Sequence, residues 1–313
     1  MRRTLKLGLS MLAVSALLTA TAASSSAHAG GVVYLKVKGA HNARHHSGSS
    51  LLSSHGGAIE QSPRVFIDYW GPQWSTGFST GGFSSTQAQS YVQGFFGNVG
   101  GSSWSNSTTQ YCQSVPSGTT NCATVSGATY VTNPTGQLAG IWNDTSALPS
   151  SISQSAVAAE AVAAAAHFGY SATADYLVFT PSGHSESGFG TQWCAYHSST
   201  GSTNGTLSFA YMPYQPDAGT SCGMNFVNAG SAGYFDGFSI VGGHEYGETI
   251  TDPFPSTGWL DGSGAENGDK CAWISSGQGA AADISLGGAS YAVQSLWSNA
   301  FNSGAGGCVL SYP

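Results

Sequence analysis

His244, Glu245 and Glu248 have the residue types and spacing to do chemistry, in the segment Gly242-Gly243-His244-Glu245-Tyr246-Gly247-Glu248-Thr249-Ile250-Thr251-Asp252-Pro253. On a helix, residues i and i+4 share a face, so His244 and Glu248 point the same way and Glu245 stands one step round. An imidazole and a carboxylate on one face make half of a zinc site, because zinc accepts both nitrogen and oxygen ligands. Glu245 is then placed to take a proton from a water that attacks a carbonyl. Glu266 follows Glu248 by 18 residues and is the expected third ligand. Asp269 is expected to orient a ligand from behind. His197 is the spare histidine, able to replace Glu266 as a ligand or to stabilise an oxyanion.

The spacing is that of the His-Glu-x-x-His zinc peptidases with the second histidine replaced by a carboxylate. Six of the 15 acidic residues fall between Glu245 and Asp269, in a chain that is only 7% charged. One histidine with two ionised glutamates makes a bound water less acidic than neutral ligands do. The spacing makes Zn²⁺ the first expectation, while the charged ligand set implies weak activity or a harder metal such as Ca²⁺ or Mn²⁺. Gly242 and Gly243 each cost about 1 kcal/mol inside a helix, which implies close packing there. Asp252, at the helix end before Pro253, opposes the helix dipole and is expected to have a hydrogen-bond or metal partner.

The elements that position these residues are expected in a secreted, disulfide-linked α+β fold. Arg2, Arg3 and Lys6, the apolar run Leu7 to Ala23, and Ala27-His28-Ala29 read as a signal peptide over residues 1–29. Its removal leaves five basic against 15 acidic residues, net −10, with Lys270 the single Lys or Arg beyond Arg64. Such a surface excludes nucleic-acid binding through phosphates. No later stretch is apolar enough to span a bilayer. Few ion pairs imply tolerance of low pH. Cys112, Cys122, Cys194, Cys222, Cys271 and Cys308 imply three disulfides. Fifteen pairings are open, and nearest neighbours (112–122, 194–222, 271–308) are expected.

Residues 30–62, polar and carrying His41, His45, His46 and His55, read as a flexible arm or pro-segment. The domain is expected over 63–313. Strands are read at 64–70, 175–180, 205–214 and 291–293, and helices at 85–96, 153–168, 236–251 and 296–299. The expected class is a single zincin-like α+β domain with a mixed sheet and a motif helix.

The chain resembles the phosphate-induced, EXORDIUM-like family of secreted proteins over roughly 63–313. The resemblance rests on Tyr69-Trp70-Gly71 with Trp74, Ser103-Trp104 followed by Tyr111, and Cys194-Ala195-Tyr196-His197. It continues in His244-Glu245-x-x-Glu248 with Thr251-Asp252-Pro253, in Glu266-x-x-Asp269-x-Cys271, and in Cys308. Asp252 stands where plant members often carry Asn. The resemblance implies an extracellular protein associated with growth and the cell wall, and no settled reaction.

The expected function is a secreted metal-dependent hydrolase, a zinc metallopeptidase acting on polypeptide or cell-wall substrate as a monomer. One rival is a non-catalytic extracellular or cell-wall binding module with a structural metal. Another is a metal-independent acid hydrolase using a pair from Glu245, Glu248 and Asp252.

Overall fold

The computed structural model describes residues 31–39 and 51–311. The expected signal peptide and residues 40–50 lie outside the described residues. A six-stranded mixed sheet is built from β1 (Val33–Lys36), β2 (Arg64–Trp70), β3 (Leu138–Asp144), β4 (Ala174–Phe179), β5 (Trp193–Ser202) and β6 (Gly205–Met212). The strand order is β1-β5-β6-β4-β2-β3. Strands β6, β4, β2 and β3 run parallel, and β5 and β1 add antiparallel at one edge.

Parallel strands covered on both faces carry near-continuous apolar runs, as Phe66-Ile67 and Tyr176-Leu177-Val178-Phe179 do. Helices α1 (Ser85–Val99), α2 (Gln154–Phe168) and α3 (Asp236–Thr251) supply the cover. Side chains alternate along a strand. Phe66, Trp70, Tyr176, Val178 and Tyr196 pack with α2 on one face, while Ile67, Leu177, Phe179, Ala195 and Met212 pack with α1 and α3 on the other. The helix starts are chemically marked. Ser84 and Gln87 form a capping box on α1, and the Ser153 hydroxyl accepts the Ala156 N–H at the start of α2.

All of α3 is buried, as befits a helix enclosed on every side. The sheet lies under it and the hairpin β7 (Ala282–Leu286) and β8 (Ala289–Val293) lies beside it. The two-residue loop of that hairpin, Gly287-Gly288, has φ of +58° and +84°, the conformation that only glycine adopts cheaply in such a turn. A Cβ on Gly242 would sit 3.1 Å from the Phe96 ring, and one on Gly243 would sit 3.3 Å from Phe95 and Trp104. The close packing expected at these glycines is present.

Residues 31–38 and 51–62 pack on the domain. Strand β1 pairs with β5 in a register that sets Val33 opposite His197. Leu35, Val37, Leu52 and Ile59 enter the core, each burial contributing about 1.5–3 kcal/mol. Disulfides join Cys112 to Cys122, Cys194 to Cys222 and Cys271 to Cys308, the nearest-neighbour pairing. The helix expected at 296–299 is instead a strand, Leu296–Ser298, paired antiparallel with Gly307–Val309. Trp297 stands opposite Cys308 in that register, so the disulfide to Cys271 holds the partner strand alongside. Tertiary pairing has overridden a short, ambiguous apolar run. Among the described residues, no helix is long and apolar enough to cross a membrane.

Candidate metal centre

Helix α3 presents His244 and Glu248 on one face, with His244 Nε2 3.1 Å from Glu248 Oε1. The sheet supplies the opposite wall. On β5, His197 shares its face with Ala195, two residues away, and that face looks at α3. His197 Nδ1 lies 3.2 Å from Glu245 Oε2 and 3.5 Å from Glu248 Oε2. Its other ring nitrogen, Nε2, lies 3.5 Å from Glu266 Oε1. Asp269 Oδ1 is 4.0 Å from His244 Nε2. The loop from Glu266 to Cys271 closes the third side. Its Asp269 N–H donates to Glu248 Oε1, and Asn267 donates to the Gly247 carbonyl and to Thr251 Oγ1.

His197, His244, Glu245, Glu248 and Glu266 are all 0% exposed. His197 Nε2, His244 Nε2, Glu245 Oε1, Glu248 Oε2 and both Glu266 oxygens make no hydrogen bond. The close His–Glu approaches at those atoms are therefore contacts without hydrogen-bond geometry. Unpartnered buried polar atoms are rare because each costs about 1–3 kcal/mol or more. Lys270, the one Lys or Arg beyond Arg64, is engaged elsewhere, 2.9 Å from Asp261 and over the Trp297 ring.

The proton affinities carry the same message. Burial pushes the Glu266 carboxyl well above the usual range, and Glu248 and Asp252 push further while His197 opposes them. Burial also raises Glu245, and raises Asp269 to about 7. Burial works against a charged His244, but Glu248, Glu245 and Asp269 outweigh it and bring the ring to about 10. Burial also favours a neutral Glu248, yet His244 and His197 hold it below the ordinary value. Such a centre demands positive charge. A divalent cation fits it. The buried group His197, Glu245 and Glu248 can hold a metal ion, and so can His244, Glu248 and Asp269.

Glu266 thus stands at the second nitrogen of His197 rather than with His244, and Asp269 joins the His244 side. Asp252 finds its expected hydrogen bonds, its carboxylate accepting the N–H groups of Ser256, Thr257 and Gly258. His184 bonds Gln73 and the Ser182 carbonyl, while His167 stacks on Trp142. Three residues at the centre carried no sequence signal of their own. Gln294 orients His244, and Asp175 and Glu60 lie behind His197. Burial raises Asp175 to about 8, and raises Glu60 well above its usual range with the Asp175 charge adding to the effect. Asp175 shares a strand face with Leu177 and Phe179, which marks it as inward-facing once the strand is recognised.

No protein-family model, no curated protein and no solved structure matches this chain.

Proposed function

We propose that this protein is a secreted metal-dependent hydrolase, a zinc peptidase in which His244, Glu248 and Asp269 hold the ion. The observation that carries the reading is the fully buried His244 Nε2, which makes no hydrogen bond and is grouped with the Glu248 and Asp269 carboxylates, with Lys270 occupied at Asp261. Zinc there would supply Lewis acidity and lower the proton affinity of a bound water, by less than it would among neutral ligands. Glu245 is the general base. Its Oε1 is unpartnered and burial raises its proton affinity, which makes it a stronger base than an exposed carboxylate. His197, through Nδ1, orients Glu245 Oε2 and stands ready to donate to a developing oxyanion. Three disulfides suit an oxidising compartment. The resemblance to the EXORDIUM-like secreted proteins supports the same location.

The complete burial of the five core residues favours a second reading, a structural metal in an extracellular or cell-wall binding protein. The test is cleavage of an unfolded polypeptide by the zinc-loaded protein, with Glu245→Gln and chelator controls. Cleavage lost in both controls supports the hydrolase. Retained zinc without cleavage supports the structural reading, and absence of bound metal removes both.

A further inference from the structure

Glu248 faces two histidines at once. Its Oε1 is 3.1 Å from His244 Nε2, and its Oε2 is 3.5 Å from His197 Nδ1. Glu248 belongs to two possible ligand groups, His244–Glu248–Asp269 on the Oε1 side and His197–Glu245–Glu248 on the Oε2 side. At metal–ligand distances of 2.0–2.1 Å, neighbouring ligands of a tetrahedral ion lie about 3.4 Å apart. The spacings of 3.1 and 4.0 Å on one side and 3.2 and 3.5 Å on the other span that value. We propose a two-metal centre in which Glu248 bridges a pair of divalent cations. This rests on the metal-centre reading above and adds a second ion, held by His197 Nδ1 and Glu245 Oε2, which takes His197 out of the oxyanion role and leaves the unpartnered Glu245 Oε1 as the base.

The two arms of the site are alike in chemistry. Each offers one imidazole nitrogen, one oxygen of Glu248 and one further carboxylate, Asp269 or Glu245. Paired ions bridged by a carboxylate sit about 3.5–4 Å apart in two-metal hydrolases.

Charge permits two ions. The three ligand carboxylates, Glu245, Glu248 and Asp269, carry three negative charges when neutral imidazoles complete the two arms. One divalent cation leaves −1 and two leave +1, so a second ion adds no larger buried charge than a single one leaves. Glu266, which burial holds toward its protonated form, adds none. The other acids nearby do not alter the balance. Asp252 is satisfied by three backbone N–H groups. Glu60 accepts the Ser208 hydroxyl, and burial holds both it and Asp175 toward the protonated form. The neutral tautomer needed on the His244 side is enforced by Gln294, whose oxygen faces His244 Nδ1. Nε2 is thereby left as the ligand atom.

The test is metal stoichiometry with a spectroscopic readout. The purified protein is stripped with chelator, loaded with Zn²⁺ or Mn²⁺, desalted and analysed. The expected result is two ions per chain, with a Mn²⁺ spin-resonance spectrum whose hyperfine spacing is half that of an isolated ion. Asp269→Asn and His197→Ala should each keep one ion and lose the coupling, and Glu248→Gln should lose the coupling and at least one ion. Circular dichroism melts check that each variant is folded. Two variants on opposite arms keep the test decisive if one fails to fold. A single uncoupled ion in the wild type overturns the proposal and leaves the zinc-hydrolase reading standing. Two ions that persist in all three variants lie elsewhere and overturn it too. No ion in the wild type overturns both readings.

Discussion

Gln294 presents its amide oxygen to His244 Nδ1 at 3.3 Å, while its amide nitrogen donates to the carbonyls of Gly268 and Ser295. With both acceptors on the nitrogen side, the oxygen has no choice of partner. In the neutral ring, Nδ1 must then carry the proton and Nε2 the lone pair. Gln294 therefore sets the ring's ligand atom from outside the centre.

Gln294→Met keeps the volume and removes the acceptor. Metal affinity should fall roughly 10- to 100-fold, the usual effect of losing an outer hydrogen bond to a ligand. Competition with a chromophoric chelator measures it. An unchanged affinity would show that the ring is held by its other contacts.

Gly268 brings the backbone of the acidic loop against the ring. A Cβ there would lie 2.8 Å from His244 Nδ1 and 3.0 Å from Glu248 Oε1. Gly268→Ala must push the loop outward or displace the imidazole, at a cost of about 1–3 kcal/mol in stability. Metal affinity should drop at least about tenfold with it. Thermal melts with and without Zn²⁺ read both effects, and a variant that melts and binds like the wild type would mean that the loop yields freely.

The opposite face of the sheet holds a second carboxyl pair, Asp68 on β2 and Glu160 on α2. Burial raises Asp68 to about 7, with Asp144 adding to the rise and Glu160 opposing it. Burial, then Asp68, raises Glu160 to about 10. Both folded values exceed the unfolded ones, so the folded state binds more protons between them. The stabilisation is complete below about pH 4, and is lost as pH rises through 7 and toward 10. The slope reaches about 1.4 kcal/mol per pH unit for each proton. Glu160→Gln should therefore gain stability relative to the wild type on going from pH 5 to pH 8. Urea midpoints at the two values measure it, and parallel profiles would disprove the linkage. The same sign accords with the low-pH tolerance that the scarcity of ion pairs suggests.

How much of this was legible in the chain follows from what is local. The i, i+4 relation of His244 and Glu248, the helix that opens at Ser153, and the buried strand at 64–70 depend on neighbours within a few residues. Their periodicity announces them. The close packing at Gly242 and Gly243 was legible for the same reason, since a glycine inside a helix needs a cause. The 296–299 run was misread because three apolar or small residues fit either period, and only the strand across from it settles the matter.

The sequence by itself determined the helix face that carries His244 and Glu248 and the acid-rich loop that follows it, while six cysteines left fifteen pairings open until the fold joined nearest neighbours. The tertiary structure decided which residues face that helix. His197 and Gln294 reach it across separations of 48 and 50 residues. The register of β5 under α3 sets His197 between Glu245 and Glu248 at one nitrogen and Glu266 at the other. That register is fixed by the packing of a whole sheet against a whole helix. No local pattern encodes it, because sliding a strand by one residue would turn His197 to the opposite face without changing a single neighbour in the chain.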